Sequence, residues 1–345
     1  MCVINPTLSA KNPSGPIDAL FSWNCSAVGR FVEPNTDFAG WEPPDKAMSN
    51  PAMSNKSILQ ILLFSATFAA ASCGVSHNAA SSAFLALGDD QLYYEVSGEG
   101  FPLVLVSGGS GMDMRQWERI IPALADNYQV ISYDPRGMGK SDNPSVRYSD
   151  TADLAQLLDY LTVDRVGLIG LSSAGGFVLE FAIEYPERVS GVVAAAPFIP
   201  GFEFSRTMLT RLDIFNRAAQ EGRKPFLDAM FEDSHFIPAP LDASVRSVAR
   251  NNMAENFDKG AGFDPALPIP IDPPLIEQLS RISSPVLLLV GELDHPEVLR
   301  RNRFLMEELP LAHEKVIVQA GHNTPLENPE AFLSAAGPFL EQIAQ

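Results

Sequence analysis

The chain has 345 residues, 46% hydrophobic and 19% charged, the balance of a globular protein that can bury one large core or two smaller ones. Its 42 acidic and 24 basic residues give a formal charge of −18, carried almost wholly by residues 82–345, which argues against nucleic acid as a partner. The sequence holds no C-x-x-C, H-E-x-x-H, Walker or G-x-G-x-x-G pattern, so it implies no metal and no nucleotide cofactor.

Residues 1–47 scatter Pro, Asn, Ser and Trp without a sustained period, and residues 1–52 read as disordered or as sequence upstream of the true start. Residues 53–73 have the order of an export signal. Lys56 precedes an uncharged run, Ile58–Ser72, long enough for a signal core and short for a membrane span. Ala70-Ala71-Ser72-Cys73 resembles a bacterial lipobox, in which the cysteine is acylated after cleavage. The expectation is initiation at Met48 or Met53, export to the periplasm, and membrane attachment through a lipid on Cys73. The alternative is a cytoplasmic protein with an apolar N-terminal helix. Cys2 and Cys25 lie further upstream, so a chain lipidated at Cys73 keeps no thiol for a disulfide.

Past the leader, Ser82–Leu87 and Gln91–Ser97 read as a hairpin around Gly88-Asp89-Asp90. Pro102–Val106 is a short apolar run suited to a buried parallel strand, and it ends in the loop Ser107-Gly108-Gly109-Ser110-Gly111. Another apolar strand, from Val130, leads into Asp134-Pro135-Arg136-Gly137-Met138-Gly139-Lys140-Ser141. Residues 151–162 have helical periodicity. Val166–Gly170 is again a strand; Ser172 follows, and Val178, Leu179, Ala182 and Ile183 then recur at helical spacing until Tyr185-Pro186 stops the helix. This alternation over residues 82–197 predicts a mostly parallel sheet with helices on both faces.

The alternation fails between residues 198 and 274, predicted to be an inserted helical cap. The chain returns through the proline-rich linker 265–274 to a second core segment, 275–345. The cap holds nine phenylalanines, from Phe198 to Phe263, and Met208, Met230 and Met253; such a roof suits a small, fairly apolar substrate. In the second segment Pro285–Val290 is a buried strand before Gly291-Glu292-Leu293-Asp294-His295. Lys315–Gln319 is another strand, leading to Ala320-Gly321-His322. Arg300, Arg301 and Arg303 read as a solvated helix face.

A serine at a tight strand-to-helix corner presents its hydroxyl outward, a geometry suited to attack on a carbonyl. The turn crowds the residues two before and two after the reactive one. Gly170 and Ala174 satisfy this for Ser172, whereas Ser173 would have Leu171 in the crowded place. Gly170-Leu171-Ser172-Ser173-Ala174 resembles the G-x-S-x-G elbow of the alpha/beta-hydrolase family, with Ala174 replacing the last glycine. The segment from Asp134 to Ser141 resembles that family's D-x-R-G-x-G-x-S stretch, with Asp134 and Arg136 expected to pair.

The resemblance implies an alpha/beta-hydrolase fold and, in the family's chain order, a triad of Ser172, Asp294 and His322. His322 would take the serine proton, and Asp294 would hold the imidazole tautomer. The oxyanion would rest on the amides of Gly109 and Ser173, with Ser107 standing where the family usually has histidine. Among the rivals, His77 lies in the leader, His235 in the insertion and His313 before its strand. His295 abuts Asp294, and Glu292 is one residue past Gly291. The implied activity is hydrolysis of a carboxylic ester or lactone through an acyl-enzyme on Ser172. An aminopeptidase-like or carbon–carbon bond hydrolase with the same triad, or a non-catalytic ligand-binding member of the fold, is the alternative.

Overall fold

Three runs rich in Val, Leu and Ile, too short for helices and buried throughout, residues 103–106, Val166–Leu171 and Val286–Gly291, form inner strands of the sheet. The computed structural model describes residues 81–108, 111–238, 243–260 and 262–345. The proposed leader, Cys73 and the expected oxyanion donor Gly109 lie outside those residues.

The strands are β1 (Ser81–Leu87), β2 (Asp90–Ser97), β3 (Phe101–Val106), β4 (Tyr128–Tyr133), β5 (Val166–Leu171), β6 (Val189–Ala195), β7 (Val286–Gly291) and β8 (Ala312–Ile317). They form one eight-stranded sheet in the order β1-β2-β4-β3-β5-β6-β7-β8. β2 runs antiparallel to β1 and β4, and every pairing from β4 across to β8 is parallel. The expected hairpin is present, turning at Gly88 with φ +69°.

Because side chains alternate across a strand, the sheet feeds two cores. Leu103, Leu105, Ile169 and Val193 face Trp117, Leu124, Phe332 and Phe339, so α1 (Ile121–Ala125) and α9 (Pro329–Ile343) cover that side. Val104, Val106, Leu168 and Val192 face Leu154 and Leu158 of α2 (Asp150–Tyr160) and Phe177 and Phe181 of α3 (Ser173–Glu184). Burying one such side chain contributes about 2 kcal/mol before chain entropy is counted.

Between β6 and β7 the chain leaves the sheet, and the described residues there form the helices α4 (Arg206–Glu221), α5 (Arg223–Glu232) and α6 (Ala243–Gly260). Their apolar faces meet in a separate cluster that includes Phe215, Phe226, Met230, Phe231, Met253 and Phe257, joined by Met112 from the loop after β3. Most of the cap phenylalanines therefore pack against one another. The linker is tied down where Tyr148 pairs with it: the Ile269 amide donates to the Tyr148 carbonyl at 2.7 Å.

Three expectations are corrected. His313 lies within β8, not before it, because β7 is paired along its whole length, from Val286 opposite Ala312 to Gly291 opposite Ile317. As an edge strand β8 carries exposed His313, Glu314 and Lys315 without cost. Asp134 does not pair with Arg136. The guanidinium is buried between Asp90 and Asp153, while Asp134 accepts from the amides of Met114 at 2.8 Å and Lys140 at 3.0 Å. The turn closes so tightly over Asp134 that a Cβ on Gly139 would sit 2.0 Å from its carboxylate. Finally, α7 (Pro296–Glu308) presents Arg300 and Arg303 to solvent but buries Arg301, which lies 3.4 Å from the Ala196 carbonyl in the field of Asp294 and Glu297. Burial pushes its guanidinium down to about 10 against those two carboxylates.

Candidate active site

The site is assembled at the carboxyl edge of the parallel strands, where loops leave β5, β7 and β8. At the end of β5, Ser172 has φ +59° and ψ −117°, a conformation that costs a non-glycine residue about 1–3 kcal/mol. The surroundings hold it there. Its amide donates to the Ala195 carbonyl at 2.8 Å, and its carbonyl accepts from the amides of Phe198 at 2.8 Å and Gly176 at 3.1 Å.

Small residues make the corner possible. A Cβ on Gly170 would lie 2.2 Å from the Ala174 carbonyl oxygen, and one on Gly176 would lie 2.1 Å from that of Phe198. Ala174 itself fits, buried. The apex belongs to Ser172, and Ser173 begins α3. Ser173 therefore contributes one of the first-turn amides that lack an intrahelical acceptor, at the end where the helix dipole is positive.

Asp294 follows β7 and His322 follows β8. His322 Nδ1 lies 3.0 Å from Asp294 Oδ2, with the carboxylate side chain 1% exposed and the imidazole 13%. A carboxylate can only accept, so Nδ1 carries the proton and Nε2 is left as the basic nitrogen. The second carboxylate oxygen of Asp294 accepts from the His295 amide at 2.7 Å, which fixes its orientation. The Leu293 amide donates to the Ala320 carbonyl at 2.9 Å and so joins the two loops directly.

The rivals are otherwise engaged. Glu292 is exposed and accepts from the Gln319 amide at 3.0 Å. His295 is buried at the start of α7, where its Nδ1 accepts from the Glu297 amide at 3.1 Å. Burial, with Arg211 and His235 nearby, keeps that ring below its ordinary pKa and thus neutral.

Two supporting residues escape a sequence reading. Glu327, in the short helix α8 (Thr324–Glu327), accepts from the amides of Gly321 and Asn323, each at 3.0 Å, so one carboxylate clasps the backbone on both sides of His322. Asn323 followed four residues later by an acid, beside Pro325, was the available signal. His235, set aside as part of the insertion, touches both loops: its Nδ1 lies 3.0 Å from the Leu293 carbonyl, and its own carbonyl accepts from the His322 amide at 3.0 Å. Phe236 beside it places its ring 6.3 Å from that of His322. No short-range pattern marks His235, because both of its partners are distant in the chain.

This geometry can run proton transfer through the His322 imidazole, oriented by Asp294 on the sheet edge that also carries the strained Ser172. No group of three or more His, Cys, Asp or Glu side chains among the described residues is placed to hold a metal.

Comparison with known proteins points the same way. A sequence model of the alpha/beta hydrolase fold matches residues 102–329. 3-Oxoadipate enol-lactonase 2 of Acinetobacter baylyi is 28% identical over 251 residues, covering 70% of this chain and 90% of the relative. The 2-hydroxy-6-oxo-6-(2'-aminophenyl)hexa-2,4-dienoic acid hydrolase of Metapseudomonas resinovorans is 23% identical over 288 residues, 78% of this chain and 94% of the relative. Among solved structures, the enol-lactonase from Burkholderia xenovorans LB400 superposes with a TM-score of 0.64 at 23% identity, over 75% of this chain and 100% of that one. At that identity the likeness concerns the fold.

Proposed function

The chain is a hydrolase of the alpha/beta-hydrolase family, and from that membership we propose that it cleaves a carboxylic ester or lactone of a small, fairly apolar substrate through an acyl-enzyme on Ser172. The observation that carries this reading is the 3.0 Å hydrogen bond between His322 and Asp294, made by loops on the same sheet edge as the strained Ser172. In the proposed cycle Ser172 Oγ attacks the carbonyl carbon as His322 Nε2 takes its proton. The oxygen, now negative, is held by the Ser173 amide and by the loop after β3. His322 returns the proton to the leaving alcohol, and water then repeats the sequence in reverse.

Similarity to an enol-lactonase supports the lactone half of the proposal, and the Phe236 ring beside His322 supports an apolar group near the reacting carbonyl. Carbon–carbon bond hydrolysis by the same residues is the second reading, favoured by the similarity to the dienoic acid hydrolase. A panel of short p-nitrophenyl esters, lactones, aminoacyl amides and a vinylogous diketone, assayed with wild type and Ser172→Ala, separates the readings. Ester or lactone turnover that disappears in the variant supports the proposal; turnover confined to the diketone replaces it, and none anywhere rejects it.

Export with a lipid on Cys73 is proposed alongside, on the strength of the uncharged run Ile58–Ser72 before that cysteine. An intact mass starting at Cys73 with added acyl chains supports it, and a mass starting at Met1 without them rejects it.

A further inference from the structure

The cap is joined to the sheet edge by a short strap, residues 233–238, whose shape is set before it reaches the site. Asp233 forms a two-point ion pair with Arg211 of α4, both contacts at 2.8 Å, and accepts from the amides of His235 and Phe236 at 2.9 Å each. Burial alone would raise this carboxyl, but Arg211 and the two amides hold it below its ordinary range, so it stays charged and keeps the turn closed. The strap thus reaches the site as a preformed turn and not as a loose loop.

From that turn His235 makes two contacts with different loops. The Leu293 carbonyl can only accept, so His235 Nδ1 carries a proton and donates to it at 3.0 Å, one residue before Asp294. The His235 carbonyl accepts from the His322 amide at 3.0 Å. The fit is close: a Cβ on Gly321 would lie 2.2 Å from Pro238 and 2.6 Å from the His235 carbonyl oxygen. The His235 ring also packs edge-to-face on His295 at 5.1 Å, and the His295 ring is itself fixed by the Glu297 amide. The strap is therefore wedged between the residue before the acid and the residue that bears the imidazole.

We infer that His235 is a positioning residue that sets the separation of Asp294 and His322 by bracing both loops from the cap, an inference resting on the serine-hydrolase reading above. Its side chain acts on the acid loop and its backbone on the histidine loop, so a displaced strap would alter the one hydrogen bond that orients the base. A proton relay is sensitive to such displacement, and an error of about 1 Å costs on the order of 100-fold in rate. The side-chain contact is one of several restraints, so its loss should cost ~10-fold.

The test compares His235→Leu, which removes the donor, with His235→Asn, whose amide nitrogen can replace Nδ1. Both are assayed on p-nitrophenyl butyrate beside wild type and Ser172→Ala. The expected result is a kcat reduced ~10-fold in His235→Leu with KM within about 2-fold, and recovery to within about 3-fold of wild type in His235→Asn. The far-downfield proton resonance of the Asp294–His322 hydrogen bond should shift or broaden in the leucine variant and persist in the asparagine variant. That resonance reads the pair directly, even where the leucine variant is less stable. Equal kcat and an unchanged resonance in all three folded proteins would overturn the positioning role. Turnover surviving in Ser172→Ala would instead overturn the serine reading beneath it, so the two failures are told apart.

Discussion

The two sides of the site are built by different means. On the β5 side, backbone geometry does the work: Ser172 is held at positive φ by three backbone hydrogen bonds, in a corner where Gly170 and Gly176 leave no room for a side chain. On the β7–β8 side, side chains do it. Asp294, Glu327 and His235 restrain the loops around His322 through carboxylate and imidazole contacts. The corner is thus assembled within residues 170–198, whereas the paired loops draw on segments as far apart as residues 235 and 322. A Cβ added at Gly170 or Gly176 should disturb the corner at once, whereas a side-chain scaffold should fail in steps.

Ser172→Ala should reduce kcat/KM on an activated ester by ~10⁴-fold or more, and residual rates near wild type would remove the corner from the chemistry. Asp294→Asn should lower kcat by ~10³–10⁴-fold with KM little changed, because asparagine cannot hold the imidazole in the tautomer that leaves Nε2 free. An equal fall in kcat and rise in KM would place Asp294 in substrate binding instead.

Asp134, at the end of β4 on the corner's side, is pushed up to about 6 by burial and by the nearby Asp113 charge. A carboxyl raised in the folded state favours folding below its unfolded pKa and loses that contribution as pH rises through the folded value. Wild type should therefore lose on the order of 2 kcal/mol relative to Asp134→Asn between pH 4 and pH 7, measured by urea unfolding of both proteins. A constant difference across that range would contradict the buried, charge-crowded carboxyl described above. Gly176→Ala should destabilise by about 1–3 kcal/mol, because the 2.1 Å approach to the Phe198 carbonyl is to backbone and must be relieved by moving the helix or the strand end. An unchanged melting temperature would show the corner to be looser than its contacts indicate.

What was legible in the sequence follows the same division. The parallel strands, the hairpin, the choice of Ser172 over Ser173 and the stop at Pro186 all depend on residues a few places apart, where sterics and periodicity act directly. The family's chain order named Asp294 and His322, and the fold places them in contact. The partners of Arg136 were not legible, because Asp90 and Asp153 reach it from β2 and α2 while Asp134 is consumed by a tight turn. Nor was the burial of Arg301, since an arginine-rich stretch looks solvated until a strand-end carbonyl and two carboxylates are known to face it. Cap packing accounts for most of the cap's phenylalanines, as their number suggests, and among the described residues Phe236 is set against His322.

The proposed chemistry requires that the hydroxyl of Ser172 be made nucleophilic by the imidazole of His322. Intact-mass measurement after treatment with a fluorophosphonate, followed by peptide mapping, tests it in one step. A single phosphonyl group is expected on Ser172, absent in Ser172→Ala and formed far more slowly in a His322→Ala variant. A protein that takes up no label while folded, or carries it on Ser173 or elsewhere, would contradict it.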